Sequence, residues 1–385
     1  MTNPADSREI LARLIGFDTV SNRSNLGLID WVEGVLGDQG VSAERVWDAS
    51  GEKAGLIATI GPPEVPGLVL SGHTDVVPVA GQDWTSDPFE ARLAEGRLHG
   101  RGAADMKGFL ACCLAAVPAM RAAPLARPIH LVFSWDEEVG CLGVRPMLAR
   151  ISEWAVRPAG CIVGEPTEMR VVIGHKHKLA KRVTVAGRAA HSSLAPEAVN
   201  AVEYAARLIA AISRIGRRLM AEGARDTLYD VAHTTAHVGT VEGGTALNIV
   251  PESCSFAFEF RAIAEDDPRT LLAEIEAEAR RLEDEMRAVA SEARIVFSDY
   301  SHIVGLDTAA EAEIVALAKR LAGRNDHAKV AYTTEGGLFA EGGISTVVCG
   351  PGSIAEAHRA DEWIALDQLA ACDRFLAGLI AHCRR

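Results

Sequence analysis

Three short apolar runs along the chain have the length and the branched side chains of strands that are buried on both faces. They lie at residues 67–72 (GLVLSG), 128–135 (PIHLVFSW) and 160–164 (GCIVG), and polar, ionisable residues follow each of them. Between the first two runs, residues 106–120 (MKGFLACCLAAVPAM) are apolar nearly all round, which is typical of a helix inside a large core despite Pro118. Strand, helix and strand in this order predict a parallel α/β sheet whose site lies at the carboxyl ends of its strands.

The pattern of apolar positions changes after about residue 177, where alternating strand-like runs and two amphipathic helices follow one another. Their order, β-α-β-β-α-β, is that of the ferredoxin-like split arrangement, which predicts a small inserted α+β domain. The first helix is expected to begin at Pro196, and the second to be capped by Asp267 with Pro268 in its first turn. The predicted strands are residues 181–187, 236–241 with 247–250, 253–261 and 293–298, and the predicted helices are residues 196–218 and 267–289.

The first pattern returns after about residue 300. Thr308 and Glu311 predict a capping box before a helix that ends near Gly323, and residues 344–349 (ISTVVC) predict another buried strand. The larger domain is therefore expected to be discontinuous in sequence, with the smaller one inserted into it. The expected boundaries are residues 1–177 for its first part, 178–300 for the inserted domain and 301–385 for its second part.

Length and charge narrow the class of protein. The chain has 385 residues, of which 48% are hydrophobic, and this is more than one ordinary domain core requires. Lys and Arg number 39 against 52 Asp and Glu, so the net charge of −13 repels a phosphate backbone and nucleic acid is not expected as a partner.

The first residues, MTNPADSREI, have no basic stretch leading into an apolar run, and no run approaches the roughly 20 uninterrupted apolar residues of a membrane span. We expect a soluble chain that is not exported and has no membrane partner.

The eight cysteines stand mostly in apolar runs and form no C-x-x-C pair. Such residues are typical of buried, reduced thiols, and a chain of this size in a reducing compartment does not need disulfides. The sequence therefore predicts a cytoplasmic protein without a zinc–thiolate site.

Histidine and carboxylate side chains follow the predicted buried strands. His73 and Asp75 come directly after the first strand, on one face if the chain stays extended, so that Asp75 can orient the His73 ring. Asp105 lies in a glycine-rich segment, residues 100–108 (GRGAADMKG), immediately before the buried helix, where an N-cap is its alternative role. A phosphate loop is disfavoured, because neither G-x-x-x-x-G-K-[ST] nor a strand directly before G-x-G-x-x-G is present.

Three acids, Asp136, Glu137 and Glu138, follow the second strand at the edge of the predicted core. Carboxylates packed together repel one another unless a positive charge lies among them, and a divalent metal would provide that charge. Glu165 follows the third strand, and His358 follows the last. Each of these residues has a simpler explanation as a surface residue. Together, imidazoles and carboxylates from several strand ends, without cysteine, indicate a hydrolytic zinc site rather than a structural one.

Five motifs in this order resemble those of one known family: SGHTDVVP, GRGAADMKG, DEEVG, GEPTE and GPGSIAEAHRADEW. The family is that of the dinuclear-zinc amidohydrolases, which includes carboxypeptidase G, succinyl-diaminopimelate desuccinylase, the aminoacylases and acetylornithine deacetylase. The resemblance spans nearly the whole chain. It implies a mostly parallel-sheet, zinc-peptidase-like catalytic domain with an inserted ferredoxin-like α+β domain for lid closure and dimerisation, and hence a homodimer.

The resemblance also implies the residues of the metal site. Asp105 would bridge two divalent metal ions, expected to be zinc with cobalt as the alternative, and the peptide bond from Asp105 to Met106 would be cis. Asp75 would orient His73, and Glu137 would act as the general acid and base. The implied metal ligands are His73 and Glu165 for one ion, Glu138 and His358 for the other, and Asp105 for both.

Further site residues are implied in the inserted domain and after it. His191 would stabilise the tetrahedral oxyanion in the active site of the partner subunit, although a solvent-exposed loop histidine is its simpler interpretation. Asn248 and Arg261 would bind the substrate carboxylate, and Gly336 with Gly337 would line the pocket. From its sequence position alone, Arg261 could equally be a surface charge on a strand, while its guanidinium group suits bidentate binding of a carboxylate.

Among the subgroups of the family, GEPTE followed by GHK and the closing GPGSI-x-x-AH-x-x-DE most resemble acetylornithine deacetylase. The implied reaction is hydrolysis of N-acetylornithine, a small N-acyl amino acid, to acetate and ornithine in arginine biosynthesis. The chain departs from the family pattern at His177, where relatives usually have glycine, and at Ala198, which replaces the glycine before V-N-A.

Other functions stay open on the sequence alone. A succinylated diamino acid, acetylcitrulline or a dipeptide would present the same amide beside a carboxylate, so Arg261 does not separate these substrates. A metal-binding relative without turnover would be expected to lack a ligand or the general base, and this chain has all of them. A serine hydrolase is disfavoured because G-x-S-x-G does not occur.

Overall fold

The computed structural model describes residues 6–384, so the outer ends of the predicted domains, at residues 1 and 385, lie outside the described residues. In the described range the strands are β1 (Ala43–Trp47), β2 (Ala54–Ile60), β3 (Leu68–His73), β4 (Arg92–Ala94), β5 (Arg97–His99), β6 (Ile129–Ser134), β7 (Gly160–Pro166), β8 (Val172–His175), β9 (His177–Ala186), β10 (Thr235–Gly243), β11 (Ser253–Ala262), β12 (Arg294–Ile303), β13 (Leu306–Asp307), β14 (Ala328–Val330), β15 (Thr346–Gly350) and β16 (Trp363–Ala365). The α-helices are α1 (Ser7–Ile15), α2 (Leu26–Asp38), α3 (Gly108–Ala122), α4 (Val144–Ser152), α5 (Ala201–Glu222), α6 (Pro268–Arg287), α7 (Glu313–Ala322), α8 (Gly336–Glu341) and α9 (Leu366–Cys383). Short helical turns lie at Ala103–Lys107, Ser192–Glu197 and Ile354–Glu356.

Contacts along the chain divide it into two compact units. Unit 1 comprises the described residues of Met1–Gly174, Leu306–Lys329 and Thr334–Arg385, and unit 2 comprises His175–Gly305 with Val330–Thr333. Unit 1 is therefore discontinuous in sequence. The predicted domain boundaries stay a prediction, because a domain is defined by independent folding as well as by its contacts.

A mixed sheet forms the centre of unit 1, in the order β1-β2-β6-β3-β7-β15-β8-β13, with β14 beside β8. β6, β3, β7 and β15 run parallel to one another, whereas β1, β2 and β8 pair antiparallel. The three apolar runs of the sequence become β3, β6 and β7, and all their residues are buried. The predicted α/β class is confirmed. Because parallel strands end at one edge of a sheet, the segments that follow β3, β6 and β7 lie close together.

The apolar helix α3 lies in the core of unit 1, where Cys112, Cys113 and Val117 are fully buried. Together with the turn before it, the segment Ala103–Ala122 is long and apolar enough to cross a membrane by length and composition. Within its most apolar window, however, 78% of the residues are buried inside the fold. We interpret the segment as a core helix, since a helix that is apolar all round is also typical of the interior of a large protein. All eight cysteines are free and buried, as predicted.

An antiparallel sheet in the order β10-β11-β9-β12 forms the centre of unit 2. Helix α5 lies between β9 and β10 in sequence and α6 between β11 and β12, so the predicted order β-α-β-β-α-β is confirmed. Alternate residues of β11, namely Phe256, Phe258 and Phe260, pack in one core with Leu208 of α5 and Ile275 of α6. Both helices therefore cover the same face of the sheet.

Two local predictions in unit 2 are wrong. Helix α5 does not begin at Pro196, which lies in the preceding helical turn. Asn200 caps the helix instead, because its side-chain oxygen accepts hydrogen bonds from two backbone N–H groups of the first turn at 3.0 and 3.2 Å. Residues 247–250, predicted as strand, form a turn after β10 with an isolated bridge between His191 and Ile249.

The predicted capping box of α7 in unit 1 is also wrong. The helix begins at Glu313, two residues after Glu311, and its N-cap residue forms no side-chain hydrogen bond. The Thr308 hydroxyl donates instead to the main-chain oxygen of Thr346 at 2.5 Å, which joins this segment to β15. The helix ends at Gly323, as predicted, and this glycine adopts the left-handed conformation.

Candidate metal centre

His73, the last residue of β3, is fully buried at the carboxyl edge of the parallel strands. Its Nδ1 lies 2.9 Å from the main-chain oxygen of Asp75 and 3.5 Å from a carboxylate oxygen of the same residue. Both oxygens are acceptors, so Nδ1 carries a proton, and whenever the ring is neutral its lone pair lies on Nε2. This arrangement leaves Nε2 as the atom that can bind a metal.

Asp105 lies between two imidazole rings. Its Oδ1 is 3.2 Å from His73 Nε2, and its Oδ2 is 3.2 Å from His358 Nε2. Asp105 comes from the turn before α3, where its peptide bond to Met106 is cis, and it does not cap the helix, whose N-cap residue is Lys107. A carboxylate whose two oxygens face two separate nitrogen donors has the geometry of a ligand that bridges two ions.

A further acid lies beside each imidazole. Glu165 Oε1, near the end of β7, is 3.7 Å from His73 Nε2. Glu138 Oε2, in the segment after β6, is 3.1 Å from His358 Nε2. The groups whose candidate ligand atoms all lie within 4.8 Å of one another are His73, Asp105 and Glu138, and His73, Glu137 and Glu165.

The three consecutive acids after β6 have different partners. Asp136 forms an ion pair with Lys53 Nζ at 2.6 Å, so a lysine rather than a metal compensates its charge, contrary to the expectation for all three acids. The backbone N–H groups of Glu137 and Glu138 donate to the two carboxylate oxygens of Asp75, at 3.0 and 3.4 Å. Asp75 therefore fixes the turn that carries both glutamates, in addition to its contact with the histidine ring.

Burial and mutual repulsion shift the pKa values of these groups. Burial raises the pKa of Glu138 to about 7, and the nearby Asp105 carboxylate adds to this effect. Burial also raises the pKa values of Glu137 and Glu165 well above the usual range of a carboxyl group. Hydrogen bonds to Asp105 and Glu138 raise the pKa of His358 to about 10. The three glutamates therefore hold their protons more tightly than an isolated carboxyl group does, because they are buried and negative charge is concentrated at this edge of the sheet.

The donor set fits a pair of divalent metal ions. Nitrogen and oxygen ligands at about 2.0 to 2.2 Å from a tetrahedral zinc ion lie about 3.3 Å from one another. The imidazole nitrogens and carboxylate oxygens of this cluster are separated by 3.1 to 3.7 Å. Cations in place of the bound protons would remove the repulsion among the buried acids. Imidazole and carboxylate donors are also those of hydrolytic rather than structural zinc sites.

The residues predicted in the inserted domain lie in unit 2. His191 Nδ1 accepts the backbone N–H of Ser193 at 3.3 Å, so the neutral ring has its proton on Nε2 and presents a donor there. Asn248 lies next to the segment of His191, because the main-chain oxygen of Asn248 accepts the backbone N–H of Ser192 at 3.0 Å. Arg261 lies on β11, where its Nε donates to Glu259 at 3.0 Å. The structure thus brings His191 and Asn248 together and places Arg261 on a separate strand.

Gly336 and Gly337 form the buried first turn of α8 in unit 1. The residue before them, Glu335, is a buried acid that the sequence reasoning missed. Its two oxygens accept hydrogen bonds from Ser71 of β3 at 2.6 Å and from Ser134 of β6 at 2.8 Å. A hydroxyl inside a buried apolar run needs a polar partner, so these serines were the signal that could have indicated such an acid.

The family model described as "Peptidase family M20/M25/M40" matches residues 69–382 of the chain. This range includes every candidate residue of the metal centre. Among curated proteins, the chain is 33% identical over 380 residues to a protein of Myxococcus xanthus named acetylornithine deacetylase, and the match covers 97% of each chain.

Solved structures share the fold. The aminopeptidase PepT of Bacillus cereus ATCC 10987 has a TM-score of 0.78 at 21% identity, and the match covers 100% of this chain and 99% of that one. The YXEP protein of Bacillus subtilis, described as a dinuclear metal binding peptidase from the M20 family, has a TM-score of 0.65 at 15% identity and 98% coverage of both chains. At these identities the similarity establishes the fold alone.

Metal binding is expected to stabilise the folded protein, because a cation relieves the repulsion among the buried acids. At a free Zn²⁺ concentration 100 times Kd, a single such site would add about 2.7 kcal/mol to the free energy of unfolding. Chelator-treated protein should therefore show a higher Tm in scanning calorimetry after Zn²⁺ is added. Asp105→Asn should abolish this rise, whereas Asp38→Asn, at the exposed end of α2, should retain it. A normal rise in the Asp105→Asn variant would contradict the bridging position of Asp105.

Proposed function

This chain belongs to the peptidase family M20/M25/M40, and we propose that its reaction is the hydrolysis of N-acetylornithine to acetate and ornithine. The family and the acetylornithine deacetylase relatives make it a metal-dependent amidohydrolase. The observation that carries the narrower proposal is the near full-length similarity to the Myxococcus xanthus protein of that name. In this proposal the enzyme works in the cytoplasm, in arginine biosynthesis.

The acid and imidazole cluster is the proposed site of two metal ions, with zinc as the metal and cobalt as the alternative. When bound, a pair of divalent ions polarises the scissile carbonyl and makes water a nucleophile at neutral pH. Asp105 would contact both ions, in keeping with its two oxygens facing two different imidazoles. The remaining ligands would be His73 and Glu165 on one side and Glu138 and His358 on the other.

Glu137 is the proposed general acid and base. Its carboxylate lies within 4.8 Å of the ligand atoms of His73 and Glu165, and Asp75 holds its backbone N–H. The Cys141 thiol donates to Glu137 Oε1 at 3.3 Å. Because a thiol is a weak donor, this contact does not prevent the carboxylate from accepting a proton. In the proposed reaction Glu137 takes a proton from water as the new carbon–oxygen bond forms. It then gives that proton to the amide nitrogen as the carbon–nitrogen bond breaks.

His191 is the proposed donor to the oxyanion that develops on the scissile carbonyl. The hydrogen bond from Ser193 to Nδ1 supports this role, because it leaves Nε2–H as the outward donor. We propose a homodimer in which unit 2 of one protomer supplies His191 to the site of its partner. In a symmetric dimer the same exchange occurs at both sites.

The carboxylate of the amino acid is the proposed ligand of Arg261 and Asn248 in unit 2. Within unit 1, Gly336 and Gly337 are the residues proposed to line the substrate pocket. Arg261 uses Nε for Glu259, and a guanidinium group has further N–H donors that can bind a second carboxylate. These contacts would hold any N-acyl amino acid by its shared part. The acyl group and the side chain must therefore be identified by assay.

A panel of N-acyl amino acids tests the substrate directly. With purified protein loaded with Zn²⁺ or Co²⁺, we expect the highest kcat/KM for N-acetylornithine. The panel also contains N-succinyl-diaminopimelate, N-acetylcitrulline and unmodified dipeptides, and the released amine is quantified for each. A clear preference for a succinylated substrate, for acetylcitrulline or for dipeptides would overturn the deacetylase assignment and leave metal-dependent amide hydrolysis intact.

Glu137→Gln is expected to lower kcat by at least about 100-fold, because the side-chain amide of glutamine cannot take a proton from water and return it to the leaving amine. Metal content, measured by atomic emission, should stay at the wild-type level. Glu64→Gln, in an exposed loop of unit 1, is the matched control and should have the kcat of the wild type. Normal turnover of the Glu137 variant would exclude this residue as the proton carrier.

Catalysis across the dimer can be tested by mixing two inactive variants, Glu137→Gln and His191→Ala. A mixed dimer contains one site with neither change if His191 acts on the partner's site. Random exchange of protomers should then restore about a quarter of the wild-type activity. If His191 acts within its own protomer, every site keeps one defect and no activity returns. Full activity in a monomeric form, measured with the solution mass, would also contradict the proposal.

A further inference from the structure

Glu362 is a buried acid that lies outside the proposed ligand set. Its side chain is 1% exposed, and all of its hydrogen-bond partners lie on the segment before and around Asp105. Oε1 accepts the backbone N–H groups of Ala104 and Asp105 at 2.9 and 3.1 Å. Oε2 accepts the N–H of Gly102 at 3.0 Å and Nη1 of Arg101 at 2.7 Å. One carboxylate therefore fixes the whole turn that presents Asp105.

The same carboxylate belongs to the segment that carries His358, only four positions earlier in the chain. Arg101 strengthens this connection, because its Nη1 also donates to the main-chain oxygen of Arg359 at 3.2 Å. Gln82 accepts Nη2 of Arg101 at 2.5 Å and donates to the main-chain oxygen of His358 at 2.9 Å. The Asp105 turn and the His358 segment are thus joined by a network of hydrogen bonds across more than 250 positions in sequence.

His358 needs such support. Its ring is 53% exposed, so little packing holds it, and its backbone has φ of 61°, a conformation that is uncommon for residues other than glycine. Its Nε2 nevertheless lies 3.2 Å from Asp105 Oδ2 and 3.1 Å from Glu138 Oε2. The distance between the imidazole and Asp105 is set by the two segments that Glu362 connects.

We propose that Glu362 is a positioning residue for the metal centre. Glu362 holds Asp105 and His358 at the separation that one divalent ion requires. It acts through the backbone of the Asp105 turn and through Arg101, and it touches no ligand atom of the metal. The proposal rests on the metal site assigned under the proposed function, and it is independent of the substrate.

Glu362→Gln is the sharpest test, because the side chain keeps its shape while one acceptor oxygen becomes an NH₂ donor. All the partners of Glu362 are donors, so the new NH₂ group must face N–H groups on one side of the turn. Groups that orient metal ligands typically contribute 10- to 100-fold to metal affinity, and we expect Zn²⁺ to bind roughly 10- to 100-fold more weakly. Calorimetric titration of chelator-treated protein with Zn²⁺ measures this change without any activity assay.

Two controls separate positioning from a loss of stability. Val32→Ala, in the fully buried face of α2, should lower Tm and leave the affinity for Zn²⁺ unchanged. Glu341→Gln, at the exposed end of α8, should change neither quantity. If Glu362→Gln does not fold, Glu362→Asp keeps the charge but shortens the reach, and it should still weaken Zn²⁺ binding relative to Val32→Ala.

Wild-type affinity for Zn²⁺ in a folded Glu362 variant would overturn the proposal, whatever happens to Tm. Weaker binding in the Glu362 variants, with normal binding in both controls, would support it. A wild-type protein that binds two Zn²⁺ ions and cleaves no N-acyl amino acid would instead contradict the proposed substrate and leave the role of Glu362 standing.

Discussion

Repulsion among buried carboxylates governs the architecture of the site. The fold places Asp105, Glu137, Glu138 and Glu165 at one sheet edge, where burial raises the pKa values of the three glutamates. Asp105 is the exception, since hydrogen bonds from His358 and His73 outweigh its burial and lower its pKa. Such a cluster is stable only with positive charge inside it, either as protons on the acids and imidazoles or as metal ions. The preference for a cation is therefore a property of the protein scaffold itself.

A second group of acids has a structural role, and its members are not among the proposed metal ligands. Asp75 accepts the backbone N–H groups of the turn that carries the two glutamates. Glu335 joins serines from β3 and β6, and Glu362 joins the Asp105 turn to the segment of His358. The oxygens of each of these carboxylates accept hydrogen bonds, and these bonds compensate the free-energy cost of burying the charge. The molecule thus uses carboxylates both as the proposed metal ligands and as hydrogen-bond acceptors that hold the surrounding loops in place.

The site residues at the strand ends could be predicted from the sequence. Once the parallel strands are located, the residues at their carboxyl ends are known to meet at one edge of the sheet. His73, Glu165 and the acids after β6 follow from this rule, and the family resemblance added the roles. Partners far apart in sequence could not be found this way: Lys53 pairs with Asp136, 83 positions later, and Glu335 bonds to Ser71, 264 positions earlier. Local signals also compete, and Pro196 predicted a helix start where Asn200 supplies the actual cap.

The discontinuity of unit 1 has a consequence for the order in which the protein acquires its shape during translation. A ribosome releases β3, β6 and β7 first, then all of unit 2, and only afterwards β15 and His358. Until then β7 pairs with β3 on one side only and lacks β15 on the other, and an unpaired strand edge in a nascent chain can associate with other chains. One edge of the central sheet therefore stays open until all of unit 2 has been synthesised, and His358 follows only after β15 has closed it.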